Sequence, residues 1–89
     1  MKSIDDVWKR ICALEGEMFQ TKTGRPFTFT VSGDVLRVSR TDYNLSKGNF
    51  AKGLEAAPFD GPIAVQNLVR GPAYVWAILH DARVRTDKW

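Results

Sequence analysis

Cysteine and histidine each occur only once in this sequence, as Cys12 and His80. A single cysteine excludes an internal disulfide, and one cysteine with one histidine cannot supply the four ligands of the usual structural zinc sites. The fold therefore has to be stabilised by its apolar core, without a covalent or metal cross-link. Small domains without such links often bury more surface by dimerising, so we expect a homodimer.

Long hydrophobic runs are also absent. Segments such as residues 73–79 extend over only seven apolar residues, whereas a membrane-spanning helix needs about 20. Residues 1–6 lack the apolar core of a secretory signal peptide. We therefore expect a cytoplasmic protein that does not associate with membranes.

The composition is typical of a single globular domain over residues 1–89. A chain of 89 residues fits one domain. Its 44% hydrophobic and 26% charged residues are close to the averages for globular proteins. The net charge is +3 and the isoelectric point is about 9.3. This mildly basic balance favours association with polyanions.

The first element is predicted to be a helix capped by Ser3. Asp6 stands three positions later, as in a capping box, and Gly16 is a typical C-terminal stop. Between them, apolar residues recur at the spacing of one helix face. These residues are Ile4, Val7, Trp8, Ile11 and Cys12.

A β-hairpin follows, because apolar and polar residues alternate on both sides of Gly33-Asp34. Glycine at the first position of a two-residue turn favours a tight hairpin. Residues 17–21 are predicted to add the first strand of a three-stranded meander. The turn predicts three pairs: Val31 with Leu36, Phe29 with Val38, and Thr30 with Arg37. The other face would then carry polar side chains: Thr28, Thr30, Arg37 and Ser39.

The rest of the chain is predicted to be largely helical. Ser46 is a candidate cap for a helix that Pro58 ends, and Pro72 suits the start of a last helix reaching Ala82. Residues 62–69 fit either a short helix or a strand. The predicted fold is therefore α+β: an N-terminal helix, a three-stranded antiparallel β-meander, and two or three C-terminal helices packed on one sheet face.

The sequence does not indicate an enzyme. Cys12 lies on the apolar face of the first helix, as a buried thiol would. His80 lies with Asp81 at the end of the last helix, where a histidine also favours the helix dipole. The sequence contains none of the common motifs for nucleophilic catalysis, phosphate loops, dinucleotides or zinc hydrolysis. We therefore expect a non-catalytic protein that needs no cofactor and holds no metal.

Positive charge is concentrated in residues 21–52, which hold six Lys and Arg residues against two Asp. Arginine and hydroxyl side chains contact phosphates, and an aromatic ring can stack on a base. We predict that this region binds nucleic acid, with contacts from Arg25, Arg37, Arg40, Tyr43, Lys47 and Lys52. The alternative is that the polar strand face is merely solvated. A helix-turn-helix around residues 69–71 is disfavoured, because the helix that follows is nearly all apolar.

Two further hypotheses rest on the aromatic residues. Trp76 lies away from the main apolar face of the last helix, so Trp76 and Trp89 could anchor a second copy or another protein. The alternative is that Trp76 packs beneath the loop formed by residues 58–71. A small-ligand pocket between sheet and helices is the second hypothesis, although the core needs the same residues: Trp8, Phe19, Phe27, Phe29 and Tyr74.

Overall fold

A computed structural model describes residues 3–86, 88 and 89 of the chain. This part of the chain has the predicted α+β architecture, with an N-terminal helix, antiparallel strands and C-terminal helices. The helices are α1 (Ile4–Ala13), α2 (Lys47–Ala56) and α3 (Pro72–Leu79), with a short 3₁₀ helix at Pro62–Val65. The strands are β1 (Phe19–Gln20), β2 (Pro26–Phe27), β3 (Phe29–Ser32), β4 (Val35–Val38) and β5 (Asn44–Ser46).

Helix α1 begins at the predicted cap and ends at Ala13, before the predicted stop at Gly16. The Ser3 hydroxyl accepts a hydrogen bond from the Asp6 N–H at 3.4 Å, which satisfies one of the free amides of the first turn. Val7, Trp8 and Ile11 are buried on one face. Gly16 adopts a φ of +84° just after the helix, a conformation that glycine allows without steric cost.

The hairpin register is confirmed. Strand β3 pairs with β4 so that Val31 lies opposite Leu36 and Phe29 opposite Val38. Phe19 of β1 packs against Phe27 of β2 and Phe29 of β3. Its ring centroid lies 5.9 Å from that of Phe27 and 5.3 Å from that of Phe29.

The third strand of the meander is not the one predicted. Strand β5 completes the three-stranded sheet β3-β4-β5, and residues 19–20 form β1, which pairs with β2 in a separate two-stranded sheet. The outer edge of β3 is already occupied. The Gly16 N–H donates to the Phe29 carbonyl at 3.0 Å, and the Val31 N–H donates to a Glu15 carboxylate oxygen at 2.7 Å. Because of those bonds, residues 17–21 cannot form a ladder of backbone hydrogen bonds with this edge of β3.

The predicted strand over residues 27–32 is also divided in two at Thr28. The Thr28 N–H donates to the Ser39 hydroxyl at 3.0 Å instead of to a strand partner. Residues before this point therefore pair with β1, and residues after it pair with β4.

The C-terminal half follows the predicted caps. The Ser46 hydroxyl accepts the Asn49 N–H at 3.1 Å and begins α2, and Pro72 begins α3. Residues 62–69 form the 3₁₀ helix followed by turns. Helix α3 ends at Leu79, before Ala82, because the Asp81 carboxylate accepts the Arg83 N–H and starts a turn.

The chain after α3 folds back into the core. Trp89 is only 5% exposed, and its indole N–H donates to the Leu79 carbonyl at 2.7 Å. Arg10 of α1 holds this segment by donating to the carbonyls of Val84 at 2.8 Å and Trp89 at 3.0 Å. The first helix and the last residues therefore close one end of the core together.

None of the helices within residues 3–86 is long and apolar enough to cross a membrane.

The contact between α2 and α3 depends on Gly53. A Cβ atom there would lie 2.7 Å from a Val75 methyl and 3.2 Å from a Leu79 methyl. Alanine normally stabilises a helix relative to glycine by about 1 kcal/mol. We expect Gly53→Ala instead to lower the free energy of unfolding by about 1–2 kcal/mol, because the added methyl overpacks the core. Urea unfolding followed by tryptophan fluorescence measures this difference.

Gly48→Ala in the same helix is the matched control. Its Cβ would meet only the Ser46 hydroxyl oxygen, at 3.8 Å. This variant should be as stable as the wild type or more stable. An unchanged urea midpoint for Gly53→Ala would contradict the overpacking.

Candidate nucleic-acid interface

The three-stranded sheet has one buried face and one exposed face. Side chains alternate along a strand, so Leu36 and Leu45 enter the core while the intervening positions face outward. Thr30, Arg37 and Asn44 lie next to each other in the register of β3, β4 and β5, and all three are exposed. They form a polar row across the sheet. We call the surface made of this row, Thr28 and Ser39 the open face.

A depression of about 200 Å³ lies on the open face beside Arg37. Hydroxyl groups form much of its lining. The Ser39 hydroxyl oxygen accepts the Thr28 N–H, and the Thr41 hydroxyl oxygen accepts the Tyr43 N–H at 3.0 Å. A hydroxyl that accepts through oxygen keeps its own hydrogen as a donor. The depression therefore presents several donors to an anion: Thr28, Thr30, Ser39 and Thr41.

Arg37 has only a loose partner. One guanidinium nitrogen lies 3.5 Å from a carboxylate oxygen of Asp42, and the two side chains are 62% and 102% exposed. Ion pairs between groups this exposed contribute about 0–1 kcal/mol. An incoming phosphate can therefore replace Asp42 at small energetic cost.

Arg40 lies at one end of the open face, close to the backbone that follows Arg25. Arg40 donates to the carbonyl of Pro26, the residue after Arg25, at 3.4 Å. Both side chains are exposed. Arg40 directly follows Ser39, so this cation extends the donor-rich depression beyond the sheet, whereas Arg25 lines a separate groove beside Lys22 and Tyr74.

The other two predicted cations lie elsewhere. Lys47 and Lys52 belong to α2, which packs against α1, α3 and β5 on the buried side of the sheet. The ammonium group of Lys47 lies 2.6 Å from the Asp5 carboxylate. Their hydrogen bond lowers the pKa of Asp5 and raises the pKa of Lys47. Lys47 is therefore engaged within the protein, and Lys52 is exposed on α2, outside the open face.

Tyr43 lies at the edge of the sheet beside a cation that the sequence analysis did not select. Its ring is 44% exposed, and the Arg70 guanidinium lies 5.8 Å from the ring centroid. The Asn49 side-chain amide positions Arg70 with two hydrogen bonds. The amide oxygen accepts the Arg70 N–H at 2.8 Å, and the amide nitrogen donates to the Arg70 carbonyl at 2.9 Å. No local pattern indicates this contact, because it joins residues far apart in the chain.

His80 lies among aromatic side chains. Its Nε2 accepts the Phe59 N–H at 3.2 Å, so the ring proton is on Nδ1 and points to the Trp76 carbonyl at 3.0 Å. Ring centroids of Phe59, Trp89 and Trp76 lie 4.7, 5.3 and 5.7 Å away. Burial lowers the pKa of His80, and the positive charge of Arg85 adds to this effect.

Cys12 lies in a different environment from His80. It is half-buried and free. Burial, followed by the negative charges of Glu15 and Asp34, raises the pKa of its thiol. A thiol of this kind stays protonated near neutral pH and is a weak nucleophile.

The tryptophans predicted to form an interface are not exposed anchors. Trp89 is in the core, so the single chain does not present it on its surface. Trp76 is half-buried, and its indole N–H donates to the Phe59 carbonyl at 3.2 Å. Trp76 therefore packs against the loop of residues 58–71, which was the alternative to an exposed interface residue. The large apolar side chains exposed in this region are Ile63 (77%) and Leu68 (55%). The homodimer expected from the sequence stays a prediction.

The aromatic residues proposed to line an internal ligand pocket fill the core instead. Trp8, Phe19, Phe27 and Phe29 are buried in one apolar cluster, and Tyr74 packs against its margin. Across residues 3–86, 88 and 89, His, Cys, Asp and Glu side chains form no group of three or more that could hold a metal ion.

The environment of His80 predicts a pH dependence of stability. Its pKa in the folded state is lowered below the ordinary value of about 6.5, so the unfolded chain binds the proton more readily. The free energy of unfolding should therefore be highest above about pH 7 and fall as the pH drops toward about 5. Protonation would also remove the acceptor for the Phe59 N–H. Urea unfolding at several pH values measures this change.

His80→Gln serves as the control, because its amide oxygen can still accept the Phe59 N–H without titrating. His80 is the sole histidine of the sequence, and neighbouring Asp81 has its pKa lowered by its hydrogen bond to Arg83, which moves its titration further from this range. The variant should therefore vary less in stability over the same pH range. Equal pH profiles for both proteins would contradict the assignment to His80.

Comparison with known proteins finds no matching family, no matching curated protein and no matching solved structure for this chain.

Proposed function

We propose that this protein is a non-catalytic domain that binds nucleic acid through its phosphate backbone on the open face. The observation that supports this proposal best is the exposed row of Thr30, Arg37 and Asn44 beside a depression rich in hydroxyl groups. Phosphate oxygens accept hydrogen bonds from these side-chain types in protein–nucleic acid complexes.

The charges around the open face support the same ligand class. Arg37 is paired only with the fully exposed Asp42, and Arg40 lies at one end of the face, where it bonds the backbone next to the predicted contact Arg25. A strand that runs along the depression toward Pro26 would meet all three guanidinium groups. Arginine suits this role because its planar fork binds a phosphate through two nitrogens.

The open face is better suited to contact with the backbone than to reading of bases. Sequence-specific recognition uses several side chains placed against base edges, whereas the open face carries one amide, Asn44, among hydroxyl groups. Tyr43 at the edge offers a ring on which an unpaired base can stack, with Arg70 on one side of it. We therefore propose binding with little sequence preference.

Charge reversal on the open face tests the proposal. The double variant Arg37→Glu with Arg40→Glu should weaken binding of a labelled oligonucleotide by about tenfold or more, because it replaces phosphate contacts by repulsion. Fluorescence anisotropy at about 50 and 200 mM salt measures this loss. With three arginine–phosphate contacts, the wild type should show a log–log salt slope of about −2.7 on duplex DNA.

The matched control is Lys9→Glu with Lys52→Glu, which changes the net charge by the same amount on the helical side of the molecule. Its affinity should fall much less than that of the arginine double variant. An equal loss in both variants would indicate only a general charge effect and would overturn the site. No binding by the wild type at the lower salt concentration would overturn the function itself.

A further inference from the structure

A groove separate from the open face lies between the β1–β2 turn and the segment that leads into α3. One cavity of about 470 Å³ there is lined by Lys22, Arg25, Pro62 and Tyr74 among others. A second cavity of about 590 Å³ adjoins it, sharing Lys22 and Pro62, and Asp60 and Ile63 also line it. The groove therefore has a cationic side from the turn and an apolar side from residues 62–64 and α3.

Lys22 is held in place across this groove. Its ammonium group donates to the Asp60 carbonyl at 2.8 Å and lies 6.0 Å from the centroid of the Trp76 ring. Its aliphatic stem lies against Gly61, where a Cβ atom would come within 2.8 Å of Nζ and 3.2 Å of Cδ. Gly61 is extended, with a φ of −174°, so a side chain there would displace the flexible end of Lys22 without straining the backbone.

The turn that presents both cations is also well ordered by hydrogen bonds. The Thr21 N–H donates to the Arg25 carbonyl at 2.9 Å, and the Thr21 hydroxyl accepts the Arg25 N–H at 3.1 Å. Gly24 adopts a φ of +88° and donates its N–H to the Thr21 carbonyl at 2.9 Å. The backbone of Lys22 and Arg25 is therefore fixed before any ligand binds.

These two cations are not neutralised by the described part of the chain. The ion pairs within residues 3–86, 88 and 89 involve Arg37, Lys47 and Arg83, and no carboxylate there lies within 4.0 Å of Lys22 or Arg25. Two preorganised cations without a carboxylate partner attract an anion. Because both face one cavity, a single anionic group can contact both.

The opposite side of the groove suits a compact apolar group. The Tyr74 ring is fixed edge-on against Phe27, with a centroid distance of 5.0 Å. Pro62 and the 77% exposed Ile63 continue this side. Ligand pockets typically combine such apolar walls with a few polar groups that set orientation.

We propose that this groove binds a small organic anion. Lys22 and Arg25 hold the anionic group, and Pro62, Ile63 and Tyr74 contact the apolar body. This site shares Arg25 with the nucleic-acid proposal, whereas Lys22 and the apolar contacts belong to the groove alone, so Lys22→Gln tests the groove separately from the open face.

Titration of the ¹⁵N-labelled protein with phenyl phosphate, followed by amide chemical shifts, tests the proposal. We expect saturating shifts in residues 21–25, 60–64 and 73–74. Lys22→Gln should weaken binding by about fivefold or more, because it removes a charged contact to the anion. Gly61→Ala should weaken it similarly by displacing the lysine, although it changes no charge.

Each variant has a matched control. Lys9→Gln removes one positive charge from the exposed face of α1, and Gly48→Ala adds a methyl group in open space, so both should bind as the wild type does. The amide spectra of all variants report whether the fold is intact. Affinity equal to wild type in both Lys22→Gln and Gly61→Ala would overturn the proposal, as would saturating shifts confined to the open face.

Titrations with inorganic phosphate and with phenol test the anionic and the apolar part of the ligand one at a time. Both should bind more weakly than phenyl phosphate, because each makes only half of the contacts. Inorganic phosphate binding as tightly as phenyl phosphate would overturn the assignment of an organic anion. A wild-type protein whose shifts do not saturate with phenyl phosphate would overturn the groove as an anion site, whatever the outcome with oligonucleotides.

Discussion

The register of the β3–β4 hairpin is the constraint on which the rest of the structure depends. With Val31 opposite Leu36, the apolar side chains of both strands point into the core and Thr30 and Arg37 point outward. A shift by one residue would exchange the two faces. It would bury an arginine and expose the residues on which the helices pack. The same register therefore sets both the hydrophobic core and the open face.

Closure of the core at the C-terminal end depends on hydrogen bonds from large side chains. Arg10 spans from α1 to the carbonyls of Val84 and Trp89, and the indole N–H of Trp89 is bonded to Leu79. Polar groups at the margin of a small core need such partners, because an unpaired buried donor costs about 1–3 kcal/mol. These contacts link distant parts of a chain that has no disulfide.

The cationic side chains of this protein differ in how closely each is paired with a counter-charge. Lys47 is bonded to Asp5, and Arg83 makes a two-nitrogen contact with Asp81 while lying 4.3 Å from the centroid of the Phe19 ring. Arg37 holds a carboxylate only loosely, whereas Lys22 has a carbonyl partner. A net charge of +3 therefore says little about which cationic side chains are open to an anion. That depends on which of them lack a close counter-charge.

The sequence by itself determined the helix caps at Ser3 and Ser46, the start of α3 at Pro72 and the hairpin register, along with the polar character of the open face. Each of these depends on residues within about four positions or on two strands joined by a tight turn, where periodicity and local hydrogen bonds decide the structure. Only the tertiary structure decided that β5 completes the sheet, that Trp89 is buried, that Lys47 pairs with Asp5, and that Lys22 lies along Gly61. Most of these contacts join segments that are tens of residues apart in the chain. They depend on which edges, cavities and counter-charges remain once the core has packed, and no local pattern carries that information.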